Sequence, residues 1–196
     1  ILVDRARRVI APKKTKGSNW IGIMREAQRL GMSTTASMMY GHAELLAERV
    51  QHMGMIRSLQ DETRGFRAFI SWTFQHGNTP LSNLMRSGHL DFAEHLPAEP
   101  TPFDYLLTQA VSRIYLDNID NIQSSWVTQG MKVGQTALHF GCNDFGSLML
   151  EENVVSAANT TYRTTIDEME RLIREAGFSP RKRRQNYQLI EADAAA

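Results

Sequence analysis

Helical spacing of apolar residues alternates along this chain with short apolar runs that have no helical period. From Ser18 to Leu30, the residues Ile23, Met24, Ala27 and Leu30 share one helical face, with Ser18 or Asn19 placed to cap the start and Gly31 to end it. Thr34 to Met39 follow directly. This small, β-branched and apolar run predicts a strand buried on both faces. Leu46, Val50, Met53, Ile56 and Leu59 form the inner stripe of the next helix, and Phe66 to Phe74 the next strand. Thr101-Pro102-Phe103-Asp104 supplies an N-cap, a first-turn proline and a first-turn acid to a helix whose predicted inner face is Leu106, Leu107, Ala110, Val111 and Ile114. A third strand is predicted over Ile122 to Thr128, a short helix over Val133 to Phe140, and a fourth strand or extended turn over Cys142 to Gly146. Thr165-x-x-Glu168 reads as a capping box ahead of Ile166, Met169, Leu172, Ile173 and Ala176, with Gly177 as the stop.

Helices alternating with buried strands imply an α/β fold with a parallel sheet and helical crossovers. Four strands are half of an eight-stranded barrel, which takes about 250 residues when complete. The stretch from Gly77 to Pro100 is expected to be a loop over the barrel mouth. The chain opens on Ile1-Leu2-Val3, as if inside an element, and so reads as a piece of a longer protein. Residues 1–178 are expected to form the half barrel and residues 179–196 a basic tail, with Arg181, Lys182, Arg183 and Arg184 in solvent.

A net charge of +1 over 196 residues, with cationic residues dispersed, points away from nucleic acid as a partner. One cysteine, Cys142, excludes a disulfide framework and a protein-only thiolate site. No apolar stretch reaches the length of a membrane span and no signal-peptide pattern is present, so a cytoplasmic protein without membrane association is expected. No hydrolase elbow, Walker loop or His-Glu-x-x-His occurs.

In barrels, reactive groups sit where strands end. Four segments meet that rule: Met39 to Glu44, Trp72 to Gln75, Ser125 to Gly130, and Gly141 to Gly146. Each also has a plainer reading. His42 and Glu44 suit a helix start, Trp72 and Trp126 suit core packing, Asn143-Asp144 suits a turn, and Glu151 and Glu152 suit the first turn of a helix.

In the same order, these segments resemble the C-terminal half of a radical S-adenosylmethionine (SAM) branch that includes dehypoxanthine futalosine cyclase, aminofutalosine synthase and the FO synthases. The matching segments are Thr35 to Glu44, Trp72-Thr73-Phe74-Gln75-x-Gly77-Asn78-Thr79, Leu116-Asp117-Asn118, Ser125 to Gln135, and Asn143 to Ala158. The Trp-Thr-Phe-Gln and Trp-Val-Thr-Gln-Gly wording is similar to the cyclases. The resemblance implies a half of a radical SAM (β/α) barrel, menaquinone biosynthesis, and dehypoxanthine futalosine as small-molecule substrate. It also implies SAM and a [4Fe-4S] cluster as cofactors. The cluster's Cys-x-x-x-Cys-x-x-Cys loop would lie in a missing N-terminal half, the implied partner; no metal ligand is expected in this chain. By resemblance, Met39, Gly41 and Glu44 bind SAM, while Thr73, Gln75, Trp126, Thr128 and Asn143 face the substrate. His42, Asp144 and Glu151 are the candidate acid–base groups for the ring proton lost after cyclisation. The alternatives are a related enzyme of the same branch, or a half-barrel binding module without catalysis of its own.

Overall fold

The computed structural model describes residues 1–77, 79–87, 99–148, 157 and 162–190. Three strands, β1 (Thr34–Tyr40), β2 (Phe66–Thr73) and β3 (Asn121–Gln123), form a parallel sheet in the order β1-β2-β3. The crossovers are helical, as parallel pairing requires. Helix α3 (Leu46–Thr63) joins β1 to β2, and α4 (Pro80–Ser87) with α5 (Pro102–Tyr115) lies between β2 and β3. Helices α1 (Asp4–Ile10) and α2 (Gly17–Arg29) precede the sheet. After β3 come α6 (Trp126–Gln129), α7 (Met131–Thr136), a 3₁₀ turn (Ala137–Phe140) and α8 (Ile166–Glu175). No helix among the described residues is long and apolar enough to cross a membrane.

The α/β class and the parallel sheet agree with the sequence reading, whereas several element boundaries differ. Helix α2 begins at Gly17, and neither Ser18 nor Asn19 caps it; Asp4 Oδ1 accepts the Gly17 N–H at 2.8 Å instead. A Cβ at position 17 would lie 1.8 Å from the Leu2 carbonyl oxygen, so only glycine fits there. The predicted third strand is cut to three residues because Ser125 opens a helical turn, where Gln129 N–H bonds Ser125 O at 3.1 Å. In place of a fourth strand there is a one-residue parallel bridge, Gln123 to Asp144, flanked by Asn143 N–H to Ile122 O at 3.1 Å and Ser124 N–H to Asp144 O at 2.8 Å, after which the chain turns at Gly146 with a φ of +85°. The loop predicted over Gly77 to Pro100 contains α4, while residues 78 and 88–98 lie outside the described residues. At Thr165 half of the capping box forms: its hydroxyl accepts the Glu168 N–H, but the Glu168 carboxylate pairs with Arg171 at 2.7 and 2.8 Å. The predicted N-cap at Thr101 forms, and Asp104, read as a first-turn acid, completes a reciprocal box by accepting the Thr101 N–H.

The helix faces depart furthest. In α3 the C-terminal part of the predicted stripe, Met53, Ile56 and Leu59, is buried, while Leu46 is 73% exposed and Glu48 and His52 point inward. In α5 the predicted stripe is split: Leu106 packs against the core and Ala110 is half-buried, while Leu107, Val111 and Ile114 face outward. Ile114 is 79% exposed and Leu107 50%, whereas Tyr105, Thr108, Gln109 and Ser112 are buried against the sheet. Periodicity locates a helix but not which of its two faces is wet when the inward face carries hydrogen-bonding side chains.

One sheet face, through Ala36, Met38, Tyr40, Phe69 and Ile122, is buried beneath the helices. The other face is open: Thr35 and Ser37 are exposed, and Met39 and Trp72, which are register partners, are half-buried side by side.

Candidate functional site

Tyr40 and Thr73 are paired at the C-terminal ends of β1 and β2, and Phe74 N–H bonds Tyr40 O at 2.7 Å. The chain leaves β1 through Gly41, whose φ of +86° is a conformation that only glycine adopts without strain. A Cβ here would lie 2.0 Å from Pro100 Cγ. The Glu44 carboxylate folds back on this turn and accepts Gly41 N–H at 2.6 Å and His42 N–H at 3.0 Å, while Arg49 Nε donates to it at 2.8 Å. Arg49 in turn stacks on the Tyr40 ring at 4.4 Å. Arg5 of α1 holds the turn from another side, donating to Ala43 O at 2.6 Å and to Glu48 at 2.8 and 2.5 Å. His76 Nε2 donates to Gly41 O at 2.9 Å.

His42 is wholly buried within this turn. Its Nε2 donates to Met39 O at 3.1 Å, and its Nδ1 lies 2.6 Å from the Ala43 N–H and 3.0 Å from Glu44 Oε2. Burial lowers its pKa to about 4, against a smaller upward pull from Glu44. For Glu44, burial pushes upward, but His42, the two backbone N–H groups and Arg49 outweigh it and hold the carboxyl below its usual range.

A polar network spans the ends of β2 and β3. Gln129 Nε2 donates to Thr73 Oγ1 at 2.6 Å and to Thr128 Oγ1 at 3.3 Å, and Thr128 Oγ1 lies 2.9 Å from Ser125 Oγ. Gln75 Nε2 donates to Thr73 O and Oγ1, both at 3.0 Å. Thr73, Ser125 and Thr128 are buried, and the two glutamines are half-buried at the mouth.

Met39, Gly41, His42, Glu44, Thr73, Gln75 and Thr128 therefore gather at one end of the sheet. Three other expected residues stand apart. Trp126 is 2% exposed and packed in the core. Asn143 turns toward the start of β3: its Oδ1 accepts Ile122 N–H and Arg113 Nη2, and its Nδ2 donates to Asp120 O. Asp144 is buried, with Oδ1 accepting Gly146 N–H at 2.7 Å and Oδ2 accepting Arg183 Nε at 2.6 Å. Arg183 lies within the run read as solvated, yet it turns inward and stacks on Tyr187 at 4.1 Å. Glu151 lies outside the described residues.

Gln129, Arg49 and Trp72 are the site residues that the sequence reading did not assign, and Arg183, which pairs with Asp144 outside the site, is a further contact it did not assign. Gln129 closes the Trp-Val-Thr-Gln motif and was within reach of it; Arg183 is one of four adjacent cations, and no pattern distinguishes it. Cys142 is buried, and burial pushes its thiol up to about 12, far from a nucleophile at neutral pH. Among the described residues, no three His, Cys, Asp or Glu side chains gather as a metal site.

Residues 63–195 match the family model described as the CofH/MqnC C-terminal region. A cyclic dehypoxanthine futalosine synthase of Halalkalibacterium halodurans is 44% identical over 190 residues, which cover 97% of this chain and 48% of the relative. One of Streptomyces coelicolor is 43% identical over 96% of this chain and 44% of the relative. A 5-amino-6-(D-ribitylamino)uracil–L-tyrosine 4-hydroxyphenyl transferase of Methanoculleus marisnigri is 40% identical over 97% of this chain and 50% of the relative. The chain thus spans about half the length of the curated relatives it matches. With a strand-end site on a parallel α/β sheet and a family match over most of its length, the chain belongs to the CofH/MqnC C-terminal family.

Proposed function

We propose that this chain is the C-terminal half of a radical SAM (β/α) barrel that converts dehypoxanthine futalosine to its cyclic form in menaquinone biosynthesis. The observation that carries the reading is the network of Thr73, Gln75, Thr128 and Gln129 at the strand ends, beside the Glu44-braced turn. The cyclase reading is preferred to the hydroxyphenyl transferase reading because the synthases are 44% and 43% identical against 40%.

SAM fits the turn in a particular way. Glu44 has its oxygens engaged by Gly41, His42 and Arg49, so it shapes the turn. Contact with the adenosyl group falls to the Met39–Trp72 pair on the open sheet face and to the backbone about Gly41. A [4Fe-4S] cluster does not fit this chain, which has one buried cysteine; its ligands belong to the partner half. When bound, SAM supplies the radical equivalent that takes a hydrogen atom from the substrate's ribose.

The chain's own part is positioning. Thr73 and Thr128 hold Gln75 and Gln129 at the mouth, where their amides meet the substrate's polar groups. His42, neutral and bonded at both nitrogens, keeps Met39 and Ala43 in register and is poorly placed to accept a proton. The same holds for Asp144, whose oxygens are taken by Gly146 N–H and Arg183 away from the strand-end network, so of the three expected acid–base groups Glu151 is the one proposed to take the ring proton.

The test is equilibrium binding to the assembled holoprotein. Dehypoxanthine futalosine should bind, and Gln129→Leu should weaken it about tenfold with SAM binding unchanged. Preference for 5-amino-6-(D-ribitylamino)uracil would transfer the assignment to the transferase reading.

A further inference from the structure

Helix α5 turns its polar side chains toward the sheet, and one of them supports the strand-end network from behind. Tyr105 is fully buried, and its phenol oxygen accepts Ser125 N–H at 2.7 Å and Gln109 Nε2–H at 2.6 Å. Gln109 lies one turn further along α5, and its amide also points to Gln123 O at 3.4 Å. Burial raises the Tyr105 pKa well above the ordinary tyrosine range, so the phenol keeps its own proton while its oxygen accepts both bonds. Ser125 is the residue ahead of α6. Its hydroxyl contacts Thr128 Oγ1, which with Thr73 Oγ1 fixes the Gln129 amide. One phenol oxygen therefore connects the end of β3, the α6 turn and the inner face of α5.

We propose that Tyr105 is a positioning residue of the strand-end site. It acts through Ser125 and sets where Thr128 and Gln129 stand against Thr73. The functional part of this inference rests on the reading that the network faces the substrate. A buried N–H deprived of its acceptor has no water to replace it, so the Ser125 turn must shift or open to recover a partner.

Tyr105→Phe removes the oxygen and keeps the ring. Ser112→Ala is the packing control: it lies on the same inner face, and its hydroxyl bonds Thr108 O at 2.7 Å, outside the network. Two readouts are taken on the assembled holoprotein: amide hydrogen exchange of residues 124–130, and KM and kcat for dehypoxanthine futalosine. Tyr105→Phe should speed exchange in 124–130 about tenfold with β1 and β2 unchanged, and raise KM about tenfold with kcat held within about twofold. Ser112→Ala should move neither. Unchanged exchange in 124–130, or an equal effect from Ser112→Ala, overturns the proposal. Faster exchange with an unmoved KM leaves Tyr105's hold on the turn standing and overturns the substrate-facing reading of the network.

Discussion

Arg49 Nε stands 2.8 Å from Glu44 Oε1, and the other Glu44 oxygen accepts the His42 N–H at 3.0 Å, so a wholly buried carboxylate joins helix α3 to the turn after β1. Breaking one side of a buried pair leaves the other charge uncompensated. Glu44→Ala is expected to destabilise the protein by about 3 kcal/mol, and Arg49→Met, at the more exposed partner, by less, about 1–2 kcal/mol. Urea unfolding of the two variants checks both values. Equal, near-zero effects would mean that the turn does not depend on this pair.

Gly41→Ala should be costly for two reasons, the positive φ and the collision with Pro100. The expected loss is about 2 kcal/mol or more. If Pro100 is what resists the new methyl group, Pro100→Gly in the same chain should recover part of the loss, a coupling that a double-mutant cycle in thermal unfolding measures.

Acid should destabilise this fold near pH 5. Burial lowers His42 to about 4 and His52 to about 3, so both stay neutral in the native state while their unfolded counterparts take up protons below about pH 6.5. The unfolded state then binds more protons, and stability falls as pH drops from about 6.5 toward 4. The depressed Glu44 carboxyl acts in the same sense at still lower pH, because its stabilisation is lost as pH falls through its native pKa. Unfolding free energies between pH 7.5 and 4.5 should show this slope, and His52→Leu should flatten it. A stability that rises toward pH 5 would contradict it.

Arg183→Gln should release the segment after α8. Arg183 links Asp144 at 2.6 Å to the bridge between Arg183 and Leu189 and to the Tyr187 ring. The expected readout is faster limited proteolysis between Lys182 and Arg184, together with a loss of about 1–2 kcal/mol in overall stability, since the partner Asp144 is buried. Unchanged cleavage would show that the segment is held by other contacts.

The sequence made some features plain and hid others for physical reasons. β1 and β2 were legible because strands in a parallel sheet read as β-branched and apolar runs. The Thr101 cap was legible because a threonine, a proline and an acid in that order satisfy the exposed N–H groups of a helix start. The orientation of α5 was not legible. Its apolar side, Phe103, Leu107, Val111 and Ile114, faces outward, while Tyr105 and Gln109 are buried because they have hydrogen-bond partners across the chain. Glu44 was recognisable as important from its motif, but its three donors become visible only when the turn is folded. Trp126 and Asn143 sit in the motifs that carry the resemblance, yet their side chains pack in the core and at the start of β3.

The central claim is tested most directly by the product of an anaerobic reaction. The assembled holoprotein is incubated with SAM, a low-potential reductant and dehypoxanthine futalosine, and in parallel with L-tyrosine and 5-amino-6-(D-ribitylamino)uracil, and both mixtures are read by mass spectrometry. The account predicts 5′-deoxyadenosine together with the cyclic futalosine product in the first mixture and no adduct in the second. An adduct confined to the second mixture, or no 5′-deoxyadenosine in either, would contradict it.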